Sequence, residues 1–515
     1  MAISIKTKSN KKTDAKAKAK TKARKRGKVN RVASIDQKVD TKSELNKKLN
    51  KSSRVKSAKG HFKDSYDELI RLQEFLEDPP YSEIYVRALA PGGDPNTIEK
   101  LIRDDNHFKR FSSYDNQEIA HKYAAELAGL GVIQTLLDES SKPGHDRITD
   151  IGFNGRFLTV ETNSRKFTYG NKPGQPKIDK SYIAKLIARF AQREGTDGTA
   201  FTKEQPLFNG ANDANYLRIS ANHEATAPYG STLSVRVASP NLALNKDNFN
   251  TMAPMNRNLN VYHLLKILVE CHANIMISAE TGAGKTELQK MLVGFMKPAD
   301  RIISIEDVNE MHLPDLYPDL DIFAWNTITS PTGKGGISIS DLVKQALRNN
   351  PKWILVAETR GAEAYEMFQS VLSDHAIITT LHAISNESVP SRFIGMSKMG
   401  FEIDEESTER DFLRYMHIGI HLTRKEINGH IIRYIDEIAE FVPLDVNPRG
   451  VNVLFKQHIT ATGIREYWTG SPSPDLQAKI YDERDRELSE EEWPVYKMDG
   501  HKWPKRERLY RFGDK

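Results

Sequence analysis

Residues 274–286 read Asn-Ile-Met-Ile-Ser-Ala-Glu-Thr-Gly-Ala-Gly-Lys-Thr, and no other stretch constrains the fold as tightly. The apolar run predicts a buried strand, and Leu288, Met291, Leu292 and Phe295 follow at i, i+3, i+4 and i+7, the spacing of a helix face. Between them, Gly282 and Gly284 let the backbone bend so that consecutive N–H groups converge on one phosphate chain. The helix N-terminus adds the positive end of its dipole. In such a loop Lys285 reaches the β/γ-phosphates of ATP and the Thr286 hydroxyl ligates Mg²⁺. The candidate nucleotide contacts are Ala279, Glu280, Thr281, Gly282, Ala283, Gly284, Lys285, Thr286 and Glu287. Ala279 stands where the strict pattern has its first glycine. The competing reading is a glycine-rich strand-to-helix turn that binds nothing, and the flanking strand and helix weigh against it.

A chain of 515 residues has room for roughly two to four domains. Its hydrophobic content of 38% is low for a wholly globular chain. Residues 1–60 hold 21 Lys+Arg against 4 Asp+Glu, so a basic tail precedes an acidic body. The tail has almost no apolar content and is predicted to stay disordered. It suits nucleic acid or anionic lipid as a partner, or simple solvation. It lacks the apolar core of a secretory signal. The single cysteine, Cys271, excludes an intrachain disulfide and fits a reducing cytosol. The most apolar window, 261–279, is interrupted by His263, Lys266, Glu270 and His272, so no membrane span is expected.

Residues 61–145 read as a charged helical region, with Ile119, Ala120, Tyr123, Ala124, Leu127 and Leu130 forming a packing stripe. Residues 146–240 read as a small α+β domain. Strand patterns occur at 148–153 and 157–161 about an Asn154-Gly155 turn, at 216–219 and at 233–237, with a helix over 181–192. Residues 241–255, rich in Asn and Pro, read as a linker. From 256 to 445 apolar runs alternate with helical patterns, as a parallel α/β sheet requires. That domain closes on a hairpin about Asn428-Gly429. Residues 446–515 carry no motif and are expected to be an appended small domain or a packed tail.

Three more strands of the α/β domain end in chemically capable residues. One runs into Glu306, Asp307 and Glu310, a second into Glu358 and Arg360, and a third is preceded by His375 and followed by His382. Ligands of open parallel sheets bind beyond the carboxyl ends of the strands, so all these groups are expected near the phosphate loop. A capping or surface role is the plainer explanation for any one acid, but not for three strand ends together.

Over roughly residues 146–440 the chain resembles the secretion ATPases of type II and type IV systems, within them the branch of conjugation, type IV secretion and tight-adherence pilus ATPases. Residues 305–310, Ile-Glu-Asp-Val-Asn-Glu, resemble the family's acidic box. Residues 346–361 resemble its Walker B segment, and Asp374-His375 through Thr380-Leu381-His382-Ala383 its histidine box. Residues 148–155 resemble the signature of its N-terminal domain. Ala357 replaces the usual Walker B glycine, and Ser373-Asp374-His375 replaces Thr-Gly-His.

The resemblance implies a P-loop NTPase (RecA-like) α/β domain behind a smaller α+β N-terminal domain. It implies a Mg²⁺-dependent ATPase, working as a homo-hexameric ring at an inner-membrane secretion or pilus complex, cytoplasmic and peripheral to the inner face of the cell membrane. By the same resemblance Glu310 orients or activates water, Glu358 holds Mg²⁺ through its water shell alongside Thr286, and His382 senses the γ-phosphate, with His375 in the same box. Arg218 and Arg236 resemble the arginines that close onto the γ-phosphate; a surface ion pair is the alternative. Two rival functions remain: a nucleic-acid-translocating motor, which the tail would suit, and a nucleotide-binding scaffold with little turnover, which the two Gly-to-Ala changes would suit.

Overall fold

A computed structural model describes residues 65–90, 93–104, 117–172, 176–194, 201–238, 241–328, 335–500 and 502–509; the basic segment 1–60 lies outside them. The chain divides into units 1–68 and 69–515, and the fold set out below is that of the second.

Its first part is helical. Ala120, Tyr123, Ala124 and Leu127 of the predicted stripe are buried with Leu72, Leu76, Ile98 and Ile102. Leu130 packs instead under the sheet that follows. The helix Gln117–Ala128 ends in carbonyls that its own turns cannot satisfy. Arg189 donates to one of them, the Glu126 carbonyl, at 2.6 Å.

Strands β1 (Ile148–Phe153), β2 (Leu158–Thr162), β3 (Lys166–Tyr169), β4 (Leu207–Asn212), β5 (Leu217–Asn222) and β6 (Thr232–Val237) form a six-stranded antiparallel sheet in the order β3-β2-β1-β6-β5-β4. The Asn154-Gly155 turn joins β1 to β2, with Gly155 at φ 88° and Asn154 Oδ1 accepting from the N–H of Arg156 at 3.0 Å. The helix Lys180–Glu194 buries Ile183, Leu186, Ile187 and Phe190 against this sheet.

The second sheet is the larger. Strands β7 (Ile275–Ala279), β8 (Ile302–Glu306), β9 (Ile322–Asn326), β10 (Trp353–Val356) and β11 (Ala376–Leu381) are parallel. β12 (Ile418–Ile427) joins parallel to β7, and β13 (His430–Phe441) returns antiparallel to it. Asn428 and Gly429 make that turn with φ of 52° and 78°, the left-handed pair a two-residue hairpin requires. β7, β8, β10 and β11 are buried along their whole length, which is why they read as unbroken apolar runs.

The segment after 445 is part of this sheet. β14 (Val451–Ile459), β15 (Ile464–Thr469) and β16 (Lys505–Arg508) extend it antiparallel, giving ten strands in the order β16-β15-β14-β13-β12-β7-β11-β10-β8-β9. The intervening helix Pro474–Arg484 buries Leu476 and Ile480 in the core that holds Leu264 and Leu268. The architecture is α/β, a P-loop-type sheet behind a smaller α+β domain. Among the described residues no helix is long and apolar enough to cross a membrane.

Candidate functional site

β7 delivers the chain to the phosphate loop at Ala279. Gly282 and Gly284 adopt φ of 77° and 99°, a region that side chains rarely enter, so both positions need glycine. Ala279 lies outside that region at the buried end of β7, so its backbone does not require glycine. The same holds for Ala357, whose N–H bonds to the Ile305 carbonyl at 3.0 Å. The helix Lys285–Val293 starts at the lysine, as the pattern predicts.

The strand order then gathers three chain ends beside this loop. Lys285 Nζ lies 3.3 Å from His382 Nδ1 and 3.4 Å from the Ala279 carbonyl. His382 Nδ1 stands 3.0 Å from that carbonyl, and its Nε2 is 3.1 Å from Glu358 Oε1. Arg360 pairs with Glu358 at 2.7 Å. Burial pushes the Lys285 ammonium down to about 8, against the pull of Glu358. Burial also works against the Glu358 carboxylate, but the Arg360 hydrogen bond and the neighbouring positive charges hold it below its ordinary value. At the end of β8, Glu306 accepts the N–H groups of Glu310 and Met311 at 3.1 and 3.0 Å, which fixes the turn that presents Glu310. Burial raises the Glu306 carboxyl to about 7 in spite of those two bonds.

Across a cleft of about 640 Å³ stands the six-stranded sheet. Arg218 on β5 and Arg236 on β6 are register partners, so their side chains share one face. Arg218 pairs with Glu310 at 3.0 Å and Arg236 with Asp150 at 3.3 Å. Both line the cleft together with Thr281, Gly282, Ala283, Gly284, Lys285, Thr286, Glu287, Glu310, Glu358 and His382. Glu280 is exposed outside that lining, and Ala279 contributes its carbonyl from below. Glu287 is engaged with protein: it accepts from Ala243 N–H at 3.0 Å and pairs with Lys290 at 3.3 Å.

One expected residue is misplaced. His375 precedes β11, so it lies at the amino end of the strand, and its Nδ1 sits 2.9 Å from the Pro351 carbonyl. A six-residue strand spans about 20 Å, which puts His375 at the amino ends of the parallel strands, opposite the phosphate loop. The structure therefore does not bring His375 to the cleft with the other expected residues.

Two further arginines went unrecognised in the sequence. Arg424 and Arg433 are register partners on β12 and β13. Arg433 donates to the Gly282 carbonyl at 2.7 Å and to the Asn163 carbonyl at 2.8 Å, tying the loop to the N-terminal domain. Arg424 pairs with Glu161 at 2.8 Å. The available signal was their mirrored placement about Asn428-Gly429, which puts them side by side on the hairpin.

The family model described as "Type II/IV secretion system protein" matches residues 214–408, from just before β5 to beyond β11 and His382. An uncharacterized protein of Bacillus anthracis is 35% identical over 441 residues, covering 83% of this chain and 93% of its own length. The type IV secretion system protein VirB11 of Brucella suis is 32% identical over 167 residues, 30% of this chain and 46% of VirB11, less than half its length. The crystal structure of the Brucella suis VirB11 ATPase with sulphate covers 59% of this chain and 95% of its own at 22% identity, with a TM-score of 0.30. The matched span holds the phosphate loop, the acidic turn after β8 and the strand ends beside them, and with these relatives it shows that the chain belongs to the type II/type IV secretion ATPase superfamily.

Proposed function

We propose that the chain is a Mg²⁺-dependent ATPase that powers macromolecular secretion, conjugative transfer or pilus assembly at a membrane complex. On this reading it acts as a hexameric ring, peripheral at the inner face of the cell membrane. The observation that carries it is the convergence on one cleft of Lys285 and Thr286 with Glu310, Glu358 and His382, faced by Arg218 and Arg236. VirB11, named as a type IV secretion system protein, supports the choice of process.

The residues fit nucleotide and metal. The two glycines in left-handed conformation make a loop whose amides can face a phosphate chain. Among the described residues no cluster of three or more His, Cys, Asp or Glu could hold a metal alone. Mg²⁺ does not need one, since it keeps several waters and takes one or two protein oxygens plus phosphate. Thr286 would hold it directly and Glu358 through water. Bound there, the metal supplies charge neutralisation at the β/γ-phosphates.

The protein's own groups account for the rest, because phosphoryl transfer to water is mostly positioning and charge neutralisation. Lys285 offsets phosphate charge. Glu310, held by Arg218 and by the turn that Glu306 fixes, orients the attacking water and takes its proton. His382, touching both Lys285 and Glu358, relays the state of the γ-phosphate between strand ends. Arg218 and Arg236 bring the N-terminal domain onto the γ-phosphate. The test is phosphate release from Mg·ATP, with and without EDTA and single-stranded DNA. Metal-dependent turnover indifferent to DNA supports a secretion motor. Strong DNA stimulation favours a nucleic-acid motor, and binding without turnover a scaffold.

A further inference from the structure

The segment 241–255 leads from β6 to the helix Val261–Glu270 that opens the second sheet. It does more than connect. Leu244, Thr251 and Met252 line the same cleft as the phosphate loop, and Ile431 and Ile432 of β13 complete an apolar portion of its wall. A nucleotide whose phosphates sit on the loop has its base left to bury, and Leu244, Met252, Ile431 and Ile432 offer apolar surface for it.

The strands after 445 grip this segment. Arg465 on β15 is fully buried. Its guanidinium donates to the carbonyl of Asn250, to the carbonyl of Thr251 at 3.3 Å and to the Asn250 side chain at 3.4 Å. Glu507, its register partner on β16, holds the other side of the fork at 2.7 Å. Gln457 on β14, also buried, donates to the Met252 carbonyl at 2.7 Å, and the N–H of Ile435 bonds to the same oxygen at 3.0 Å. A buried guanidinium is costly unless it finds acceptors, and here its two terminal nitrogens find them in the linker backbone at 250 and 251, the Asn250 side chain and Glu507. The geometry is therefore specific for one path of residues 250–252.

We propose that Arg465 is a positioning residue of the nucleotide site: it clamps residues 250–252 so that Thr251 and Met252 form the wall that receives the base. This makes the terminal strands β14–β16 part of the nucleotide site. The inference rests on the nucleotide reading above.

The test uses the full chain and compares binding of Mg·ATP with binding of inorganic tripolyphosphate, which has the phosphates and no base. Arg465→Met is expected to weaken ATP binding and raise KM by about tenfold, with tripolyphosphate binding and kcat changed far less. Arg465→Lys, which keeps a donor but loses the fork, is expected to fall between the two. Glu507→Gln loosens the clamp from the partly exposed edge strand without vacating the buried position. It is expected to act in the same direction by a few-fold, and it decides the matter if Arg465→Met does not fold. Equal loss of ATP and tripolyphosphate binding would reduce Arg465 to general support of the fold and overturn the inference. So would unchanged ATP binding in Glu507→Gln and Arg465→Lys. A wild-type chain that binds neither probe overturns the nucleotide reading itself, whereas wild-type binding with indifferent variants overturns only the clamp.

Discussion

On one side of the cleft the reactive groups sit in loops at the carboxyl ends of β7, β8, β10 and β11; on the other, Arg218 and Arg236 ride within strands of an antiparallel sheet. The first wall pairs most of its charges within itself, with Glu310 reaching across to Arg218. Lys285, His382, Glu358 and Arg360 contact one another, and their positions depend on one parallel sheet. The second wall is tied outward, with Arg218 on Glu310 of the opposite wall and Arg236 on Asp150 of its own. The difference suggests a division of labour. On the proposed reading the first wall binds and reacts, and the facing wall reports whether the cleft is closed. Substitutions on the two walls separate those jobs.

The largest effect is expected from Lys285→Ala. Hydrolysis should be lost, and ATP affinity should fall roughly 10- to 150-fold, the loss of a charge-assisted contact worth about 1.5–3 kcal/mol. Phosphate release and calorimetry check this, and unchanged turnover would end the assignment of the binding wall. Glu310→Gln comes next. It keeps the shape and removes the base, so ATP should bind while turnover drops by about 10²- to 10⁴-fold. Glu358→Gln should instead shift the Mg²⁺ dependence. Normal turnover in Glu310→Gln beside a dead Glu358→Gln that still binds Mg·ATP would reverse the two roles.

Arg236→Ala tests the facing wall. Turnover should fall by roughly 10- to 100-fold, less than for a lone arginine finger because Arg218 stands beside it, while ADP affinity barely changes. Equal losses for ADP and ATP would erase the distinction between the walls.

The smallest effect on turnover is expected at Glu306, where the change should appear in stability. Its carboxyl titrates near 7 in the folded chain because burial disfavours the charge. The folded state therefore keeps a proton that the unfolded chain has already lost. That contribution is complete below the ordinary carboxylate range and disappears as pH rises through about 7. Between pH 4 and 8 it amounts to about 3 kcal/mol. Urea midpoints for Glu306→Gln should lack this decline, and parallel pH profiles for the two proteins would show that the carboxyl titrates normally.

What the sequence discloses follows the same division. The phosphate loop, the acidic turn and the strand ends at Glu358 and His382 are local patterns, fixed by neighbours within a few residues. His375 misled because a histidine at each end of one strand looks equivalent in a motif, whereas a parallel strand has a chemically distinct amino end. β3 and β4 escaped because their alternation is weak: β3 buries no residue along its length. Arg424 and Arg433 escaped for a different reason. Their meaning depends on β12 lying beside β7, a pairing between positions about 140 residues apart in sequence. The strands after 445 were hidden likewise, since Arg465 becomes intelligible only against the backbone of residues 250–251.

The bond from Arg433 to the Gly282 carbonyl has a thermodynamic consequence. Glycine-rich segments carry more backbone freedom than any other, and a ligand that must freeze one loses affinity in doing so. Here a side chain from a distant hairpin fixes the bend as part of folding, so that entropy is spent before nucleotide arrives. Association should then show a modest entropic penalty, and releasing Gly282 by removing the Arg433 guanidinium should turn binding more exothermic yet weaker.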